Sequence, residues 1–311
     1  MLILDMHTDT LTKVYNTGQS LYSNSYNIDF KRMKKHGNYI QTFAVYIDRI
    51  YCPSNAMKRA IELIDVLYQE CENHKDDVML CCNYKDILYA LENKKAPILL
   101  SIEEGEALQG SIAALRIFYK LGVRSVCLTW NYRNEIADGV AEEISGGGLT
   151  VFGREVVKEM NRLGMLIDLS HISERGFWDV IELTTQPIIL SHSNAYKIYP
   201  HRRNLKDEQI KAVKENGGVI GINFYPYFLN GSNKATVDDV IKHIDHMISI
   251  AGEDHIGIGA DYDQTEPVFE GIDGIGHTTE ILEGLLKRNY PESVIKKIAA
   301  ENFLRVINEV L

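Results

Sequence analysis

The stretch Leu2-Ile3-Leu4-Asp5-Met6-His7-Thr8-Asp9 decides how this chain is read. Its first part, Leu2–Met6, is apolar on successive residues with one interruption at Asp5. Apolar side chains on both faces belong to a strand covered on both sides, as in a parallel sheet. The run then ends in His-x-Asp, and alternation along an extended strand turns His7 and Asp9 to the same side. A buried strand ending in two potential metal donors is therefore the unit to look for along the rest of the sequence.

Seven further apolar, β-rich runs follow: Tyr39–Tyr46, Ile98–Ile102, Ser125–Thr129, Leu166–Leu169, Ile188–Leu190, Val219–Asn223 and His255–Gly259. Helix-like stretches lie between most of them, among them Met57–Cys71, Ala107–Leu121, Phe152–Leu163, Asp207–Glu215 and Val237–Ala251. Strands alternating with helices predict an α/β architecture with a parallel sheet, and eight such units predict closure into a (β/α)8, TIM-type barrel. The tail, Pro291–Leu311, reads as an amphipathic helix, with Pro291 in its first turn and Val294, Ile295, Ile298, Val306 and Val310 at near-helical spacing. There is no internal repeat, low-complexity tract or linker, so a single domain over residues 1–311 is expected. Gly146-Gly147-Gly148 precedes a helix but follows no strand and lacks the lysine of a phosphate loop, so it reads as a turn.

In a barrel of this kind all strand C-termini open on one face, where active sites form. The strand ends of this chain carry His7-Thr8-Asp9, Glu103-Glu104, Asp168-Leu169-Ser170-His171, Ser191-His192-Ser193 and Asp261-Tyr262-Asp263. Distant clusters of His, Asp and Glu are thus predicted to converge. His7 and Asp9 suit one metal, and two single histidines, His171 and His192, suit a second, since neutral imidazole is a good zinc ligand. A carboxylate has two oxygens, and Glu103, at the end of a central strand, is the expected bridge. Two cations about 3.5–4 Å apart share a hydroxide whose pKa falls toward neutrality. Asp261 is placed to take a proton from it and to touch a metal. Glu104 and Glu106 stand close enough in sequence to compete with Glu103, and strand parity favours Glu103. Asp168 either orients His171 or is a buried barrel residue, and Asp263 is outside the donor set or solvated.

Other signals are set aside. His243 and His246 lie three apart on a predicted outer helix with no third donor nearby. His277 follows a glycine-rich segment and could line the pocket, whereas His36, His74 and His255 read as structural or exposed. Ser170, Ser191 and Ser193 neighbour histidines, but the G-x-S-x-G elbow is missing, which argues against serine catalysis. The formal net charge of −10 argues against nucleic acid as a partner, because phosphate binding needs clustered Lys and Arg. Five cysteines, an odd number with no C-x-x-C, fit free thiols in a reducing compartment. The apolar N-terminal run before Asp5 is too short for a signal-peptide core, and no run is long enough to span a bilayer. The expectation is a cytoplasmic protein without membrane attachment.

At these residues the sequence resembles the membrane (renal) dipeptidase family of zinc metallopeptidases, in its bacterial-type cytoplasmic form. The similar segments are Asp5-Met-His-Thr-Asp9, Ser101-Ile-Glu-Glu-Gly105, Gly148-Leu-Thr-Val-Phe-Gly153, Ile167-Asp-Leu-Ser-His171, Ser191-His-Ser193, Arg202-Arg-Asn204 and Gly257-Ile-Gly-Ala-Asp-Tyr-Asp263, with Asn302-Phe-Leu-Arg305 near the end. The resemblance implies a (β/α)8 barrel, two zinc ions per subunit and hydrolysis of dipeptides, those with a C-terminal D-residue included. It implies that His7 and Asp9 hold one zinc with Asp261 beside it, that His171 and His192 hold the other, and that Glu103 bridges. It also implies that Arg203 binds substrate, as a planar fork suits a carboxylate or an oxyanion, while Arg202 faces away. Where family members with a substrate-binding histidine carry Leu-Thr-His, this chain has Leu128-Thr129-Trp130-Asn131, so Trp130 or Asn131 is expected to contact substrate instead. The lipid anchor of mammalian members does not carry over, because the tail is a charged helix. A homodimer is expected from the resemblance and from base rate.

Two rival readings remain at this level. One is another metal-dependent amidohydrolase on the same barrel, acting on an N-acyl amino acid, a lactam or a lactone. Such barrels often open with His-x-His and bridge their metals with a modified lysine, whereas this chain opens with His-x-Asp and has no lysine after strands three to five. The other is a barrel without catalysis, used for binding or assembly.

Overall fold

The computed structural model describes residues 1–263 and 274–311. Among these residues nine parallel strands run in chain order as β1 (Ile3–Thr8), β2 (Tyr39–Tyr46), β3 (Val78–Leu80), β4 (Ala96–Glu103), β5 (Val123–Cys127), β6 (Leu166–Asp168), β7 (Ile189–Leu190), β8 (Val219–Ile222) and β9 (Ile256–Ile258). Eight of them close a ring: β1 pairs with β2 and β9, β2 pairs with β4, and β4 through β9 follow in sequence. The predicted (β/α)8 barrel is therefore the observed fold. All eight ring strands lie on runs read from the sequence, because each is covered on both faces: β1 and β4 are buried at every residue.

β3 is the addition. It pairs with the first residues of β4, Val78 with Ala96 and Leu80 with Ile98, below the point where the β4–β5 ladder begins at Leu100. Three residues are too few to give a periodic signal. The expected helix over Ala107–Leu121 is also corrected. A single 3-10 turn covers Gly105–Leu108, and the helix proper is Ile112–Lys120. Gln109 and Gly110 both take left-handed backbone between them, and Ser111 caps the new start by accepting from the Ala114 N–H. Apolar periodicity carries straight through this break, so it hides it.

The tail seals the N-terminal end of the barrel. The helix Asn302–Val310 puts Phe303, Val306, Ile307 and Val310 into one cluster with Leu4, Met6, Ile40, Leu99, Leu166, Ile189 and Val219. Asn302 fastens it by donating to the carbonyls of Ile256 and Glu253, both at 2.7 Å. Gly257 is required beneath Phe303, as an added Cβ would stand 2.4 Å from the ring. With that end filled by side chains, the opposite, C-terminal mouth is where polar groups gather.

Candidate metal centre

The mouth residues come from separate strand ends. His7 lies near the end of β1 and Asp9 directly after it, Glu103 ends β4, His171 follows β6, His192 follows β7 and Asp261 follows β9. Each is at least 96% buried. His171 and Asp261 both sit in the left-handed region, at φ 67° and 63°, which non-glycine residues seldom adopt and which turns each side chain off its strand. Backbone hydrogen bonds cross between β1 and β9 at this level, from the Asp9 N–H to the Tyr262 carbonyl and from the Asp261 N–H to the His7 carbonyl. Asp5 reinforces the same seam by accepting from the N–H groups of His7 and Ala260 at 3.2 and 2.9 Å. Burial pushes the Asp5 carboxyl up to about 6.

Glu103 stands at the centre and faces two ways. Its Oε2 lies 3.3 Å from His7 Nε2, and its Oε1 lies 3.1 Å from His171 Nε2 and 3.7 Å from His192 Nε2. Three sets of donor atoms come within 4.8 Å of one another: His7, His192 and Asp261; Glu103, His171 and His192; and His7, Asp9 and Glu103. All six residues singled out as donors in the sequence are thus brought together.

The neighbouring hydrogen bonds fix which ring nitrogens point inward with a lone pair. The Ser191 hydroxyl gives its single proton to Asp168 Oδ2, so it can only accept from His192 Nδ1, 2.8 Å away. His171 Nδ1 lies 2.8 Å from Asn131 Oδ1, a carbonyl oxygen that only accepts. Both rings therefore carry hydrogen on Nδ1 and leave Nε2 bare. The two bare Nε2 atoms are 2.9 Å apart, a spacing at which they repel unless a cation lies between their lone pairs. Four further atoms of the cluster, His7 Nε2, Asp9 Oδ1, Glu103 Oε1 and Asp261 Oδ1, are buried without a hydrogen-bond partner. Buried polar atoms of native proteins are nearly always satisfied. Orphaned carboxylate oxygens facing bare imidazoles fit a metal pair, and the donor set of imidazole and carboxylate fits zinc.

The electrostatics agree. Burial opposes the charged ring of His7, but Glu103, Asp9 and Asp261 outweigh it and push the imidazole up to about 10. Burial likewise opposes the Glu103 carboxylate, yet His7 and His171 hold it below the usual range. Asp9 and Asp261 are raised by burial and by the charge of Glu103. Burial and Arg203 lower His171 to about 3, and burial with His7 and Arg203 lowers His192.

Around the centre, Glu104 is distinguished from Glu103 by its partners. At φ 91° it turns away from the mouth and accepts from the backbone of Glu106 and Trp130 and from the Asn134 amide. It braces the loop after β5. That loop carries Trp130, whose ring lies 6.0 Å from that of His171, and Asn131, whose side-chain oxygen is committed to His171. Arg203 is buried, donates from Nη2 to the His192 carbonyl at 3.0 Å and keeps Nε unpartnered, whereas Arg202 is exposed. Two chambers flank the centre. One, of about 470 Å³, is walled by Asp9, Tyr46, Trp130 and Asn131; the other, of about 200 Å³, by His171, Ser193 and Arg203.

Some expectations change. Asp168 does not orient His171; it reaches His192 through Ser191. Asn223 went unnoticed in the sequence, yet its amide donates to Asp261 Oδ2 at 2.8 Å and leaves Oδ1 facing His7. Its position as the last residue of a predicted strand, level with the donors, was the available signal. His243 is a structural residue, bonded to the Ala195 N–H and the Leu229 carbonyl, and His246 pairs with Asp207.

Fold and mouth together define a class: a closed parallel barrel whose mouth gathers a buried cluster of metal-donor side chains. The chain belongs to the membrane dipeptidase family, peptidase family M19, whose pattern it matches over residues 1–311. It is 37% identical over 262 residues to an uncharacterised dipeptidase of Schizosaccharomyces pombe, an alignment covering 82% of this chain and 63% of the yeast protein. The chain thus spans under two thirds of that relative's length. Among solved structures it is similar to the family M19 metallopeptidase dipeptidase AC (TM-score 0.91, 26% identity, 100% of this chain and 98% of the other). It is also similar to a metallopeptidase from Rhodobacter sphaeroides liganded with a phosphinate mimic of the dipeptide L-Ala-D-Ala (TM-score 0.92, 25% identity, 100% and 99%).

Proposed function

We propose that this chain is a dipeptidase that holds two zinc ions between His7, Asp9, Glu103, His171, His192 and Asp261 and cleaves the peptide bond of dipeptides, C-terminal D-residues included. The reading rests on Glu103, whose two oxygens face two separate donor groups. Family membership and the R. sphaeroides relative, with its dipeptide mimic, support the substrate class. Zinc ions so held would supply Lewis acidity toward the scissile carbonyl and acidify a water.

The chain's own residues do the rest. Asp261, steadied by Asn223 and raised by burial, accepts a proton as the nucleophile forms and returns it to the leaving amine. Arg203 has an unused N–H in the smaller chamber and anchors a substrate carboxylate or oxyanion. Trp130 and Asn131 wall the larger chamber and confine the substrate, Asn131 while also holding His171.

We further read the chain as one domain over 1–311, working as a homodimer in the cytoplasm. All five cysteines are free, which suits a reducing compartment, and no helix among the described residues is long and apolar enough to cross a membrane. Elemental analysis of protein purified without added metal, run beside amine release from a dipeptide panel, tests the central claim. Two zinc equivalents and turnover are expected. Glu103→Ala should abolish double occupancy, and full activity in that variant would sink the proposal.

A further inference from the structure

The larger chamber contains a cation with no counter-ion among the described residues. Arg59, on the helix Ala56–Asn73, is 3% exposed, yet it pairs with no carboxylate among the described residues. Its guanidinium lies over the rings of Tyr15 and Tyr51, with Cζ 4.2 and 4.8 Å from their centroids. One Nη donates to Asn16 Oδ1, and Nε has no partner. Buried charges in proteins are ordinarily paired, because the desolvation of a lone ion is costly. Beside it on the same wall is Lys13, partly buried, whose ammonium forms no ion pair among the described residues. None of the chamber's described carboxylates forms an ion pair with either cation. Asp48 caps the Ile50 N–H, Asp263 takes donors from Thr10 and Asn27, and Asp9 belongs to the centre.

We infer that Arg59 and Lys13 form a subsite for an acidic side chain, so that the preferred substrates carry an aspartate- or glutamate-type residue. The inference rests on the dipeptidase reading. A guanidinium seated against two tyrosine rings and bonded to Asn16 is already oriented, so little freedom is lost when a carboxylate meets its fork. The substrate's own charge then supplies the counter-ion that none of the described residues provides. The subsite lies on the Asp9 side of the centre, whereas Arg203 lies on the His171 side, so one substrate can offer two carboxylates to two arginines.

The test compares kcat/KM for dipeptides containing glutamate with their glutamine isosteres, the residue placed first or second. Wild-type enzyme should favour glutamate by about ten- to a hundred-fold at one of the two positions, the range of a hydrogen bond to a charged group. Arg59→Gln should erase that preference while glutamine dipeptides are still cleaved, and Lys13→Gln should reduce it in part. Equal kcat/KM for glutamate and glutamine dipeptides in the wild type overturns the inference without needing any variant to fold. An equal loss on both substrates in a folded Arg59→Gln overturns it as well. If no dipeptide is hydrolysed, the dipeptidase reading fails separately. Calorimetric binding of the same glutamate and glutamine dipeptides then decides the subsite, and absence of an Arg59-dependent preference rejects it.

Discussion

Removing one hydroxyl, by Ser191→Ala, should weaken metal binding by about ten- to a hundred-fold, the usual effect of losing a group that orients a ligating histidine. Ser191 gives its proton to Asp168 and accepts from His192 Nδ1 at 2.8 Å, in a region without solvent. In the variant the Nδ1–H loses its acceptor. An unsatisfied buried donor costs about 1–3 kcal/mol, or about 5- to 150-fold in an equilibrium constant. The ring can avoid that cost by moving its hydrogen to Nε2. That places a hydrogen between His192 and His171, whose Nε2 atoms are 2.9 Å apart, and removes the lone pair the metal needs. Either route weakens binding. Competition against a chromophoric chelator measures the affinity, and thermal melting of the metal-free protein checks that the barrel persists. An affinity within about threefold of wild type, below the ~1 kcal/mol floor for a buried hydrogen bond, would refute the tautomer reasoning.

Three further outcomes are expected. Metal uptake should release protons: His7 in the metal-free centre keeps its proton up to about 10, whereas His171, lowered to about 3, is already bare. Log affinity should then climb by about one unit per pH unit between about pH 7 and 9, and calorimetry in buffers of different ionisation enthalpy that finds no proton release contradicts this. Arg203→Ala should lower kcat/KM by about 10²–10³-fold, the scale of losing a charged substrate contact, with zinc content retained; loss of metal would place Arg203 elsewhere. Glu104→Ala should leave metal content intact but destabilise the fold by at least about 2 kcal/mol, because two buried donors and the part-buried Trp130 N–H lose their acceptor, and an unchanged denaturation midpoint would contradict its bracing role.

What could be read from the sequence divides along a physical line. Ring strands buried on both faces leave continuous apolar runs, so the runs bound β2 to the residue and the others to within two. Donors at strand ends follow from barrel topology, since parallel strands deliver their C-termini to one rim. What escaped is set by side-chain direction rather than by position. Asn131 and Trp130 share a loop, but only coordinates show that Asn131 turns to His171. Glu103 and Glu104 differ by a backbone angle near 90° at Glu104, which leaves no trace in composition. Arg59 sits on an ordinary amphipathic helix, and its burial against two tyrosines depends on how that helix leans over the mouth.

Asp168 has a consequence for how variants of this protein should be interpreted. β6 and β7 are adjacent short strands of the ring, three and two residues long, and one oxygen of Asp168 extends their pairing by accepting from the N–H groups of both Ser170 and Ser191 at 3.0 Å. Its other oxygen holds the hydroxyl that sets His192. Pairing along this edge of the barrel and the orientation of His192 are therefore tied to a single carboxylate. In any large mutational screen, substitutions that loosen this edge will score as lost activity before they score as lost protein. Added zinc should rescue many of them, so sensitivity to metal supply will mark damage to the scaffold here, and not only damage to the donors.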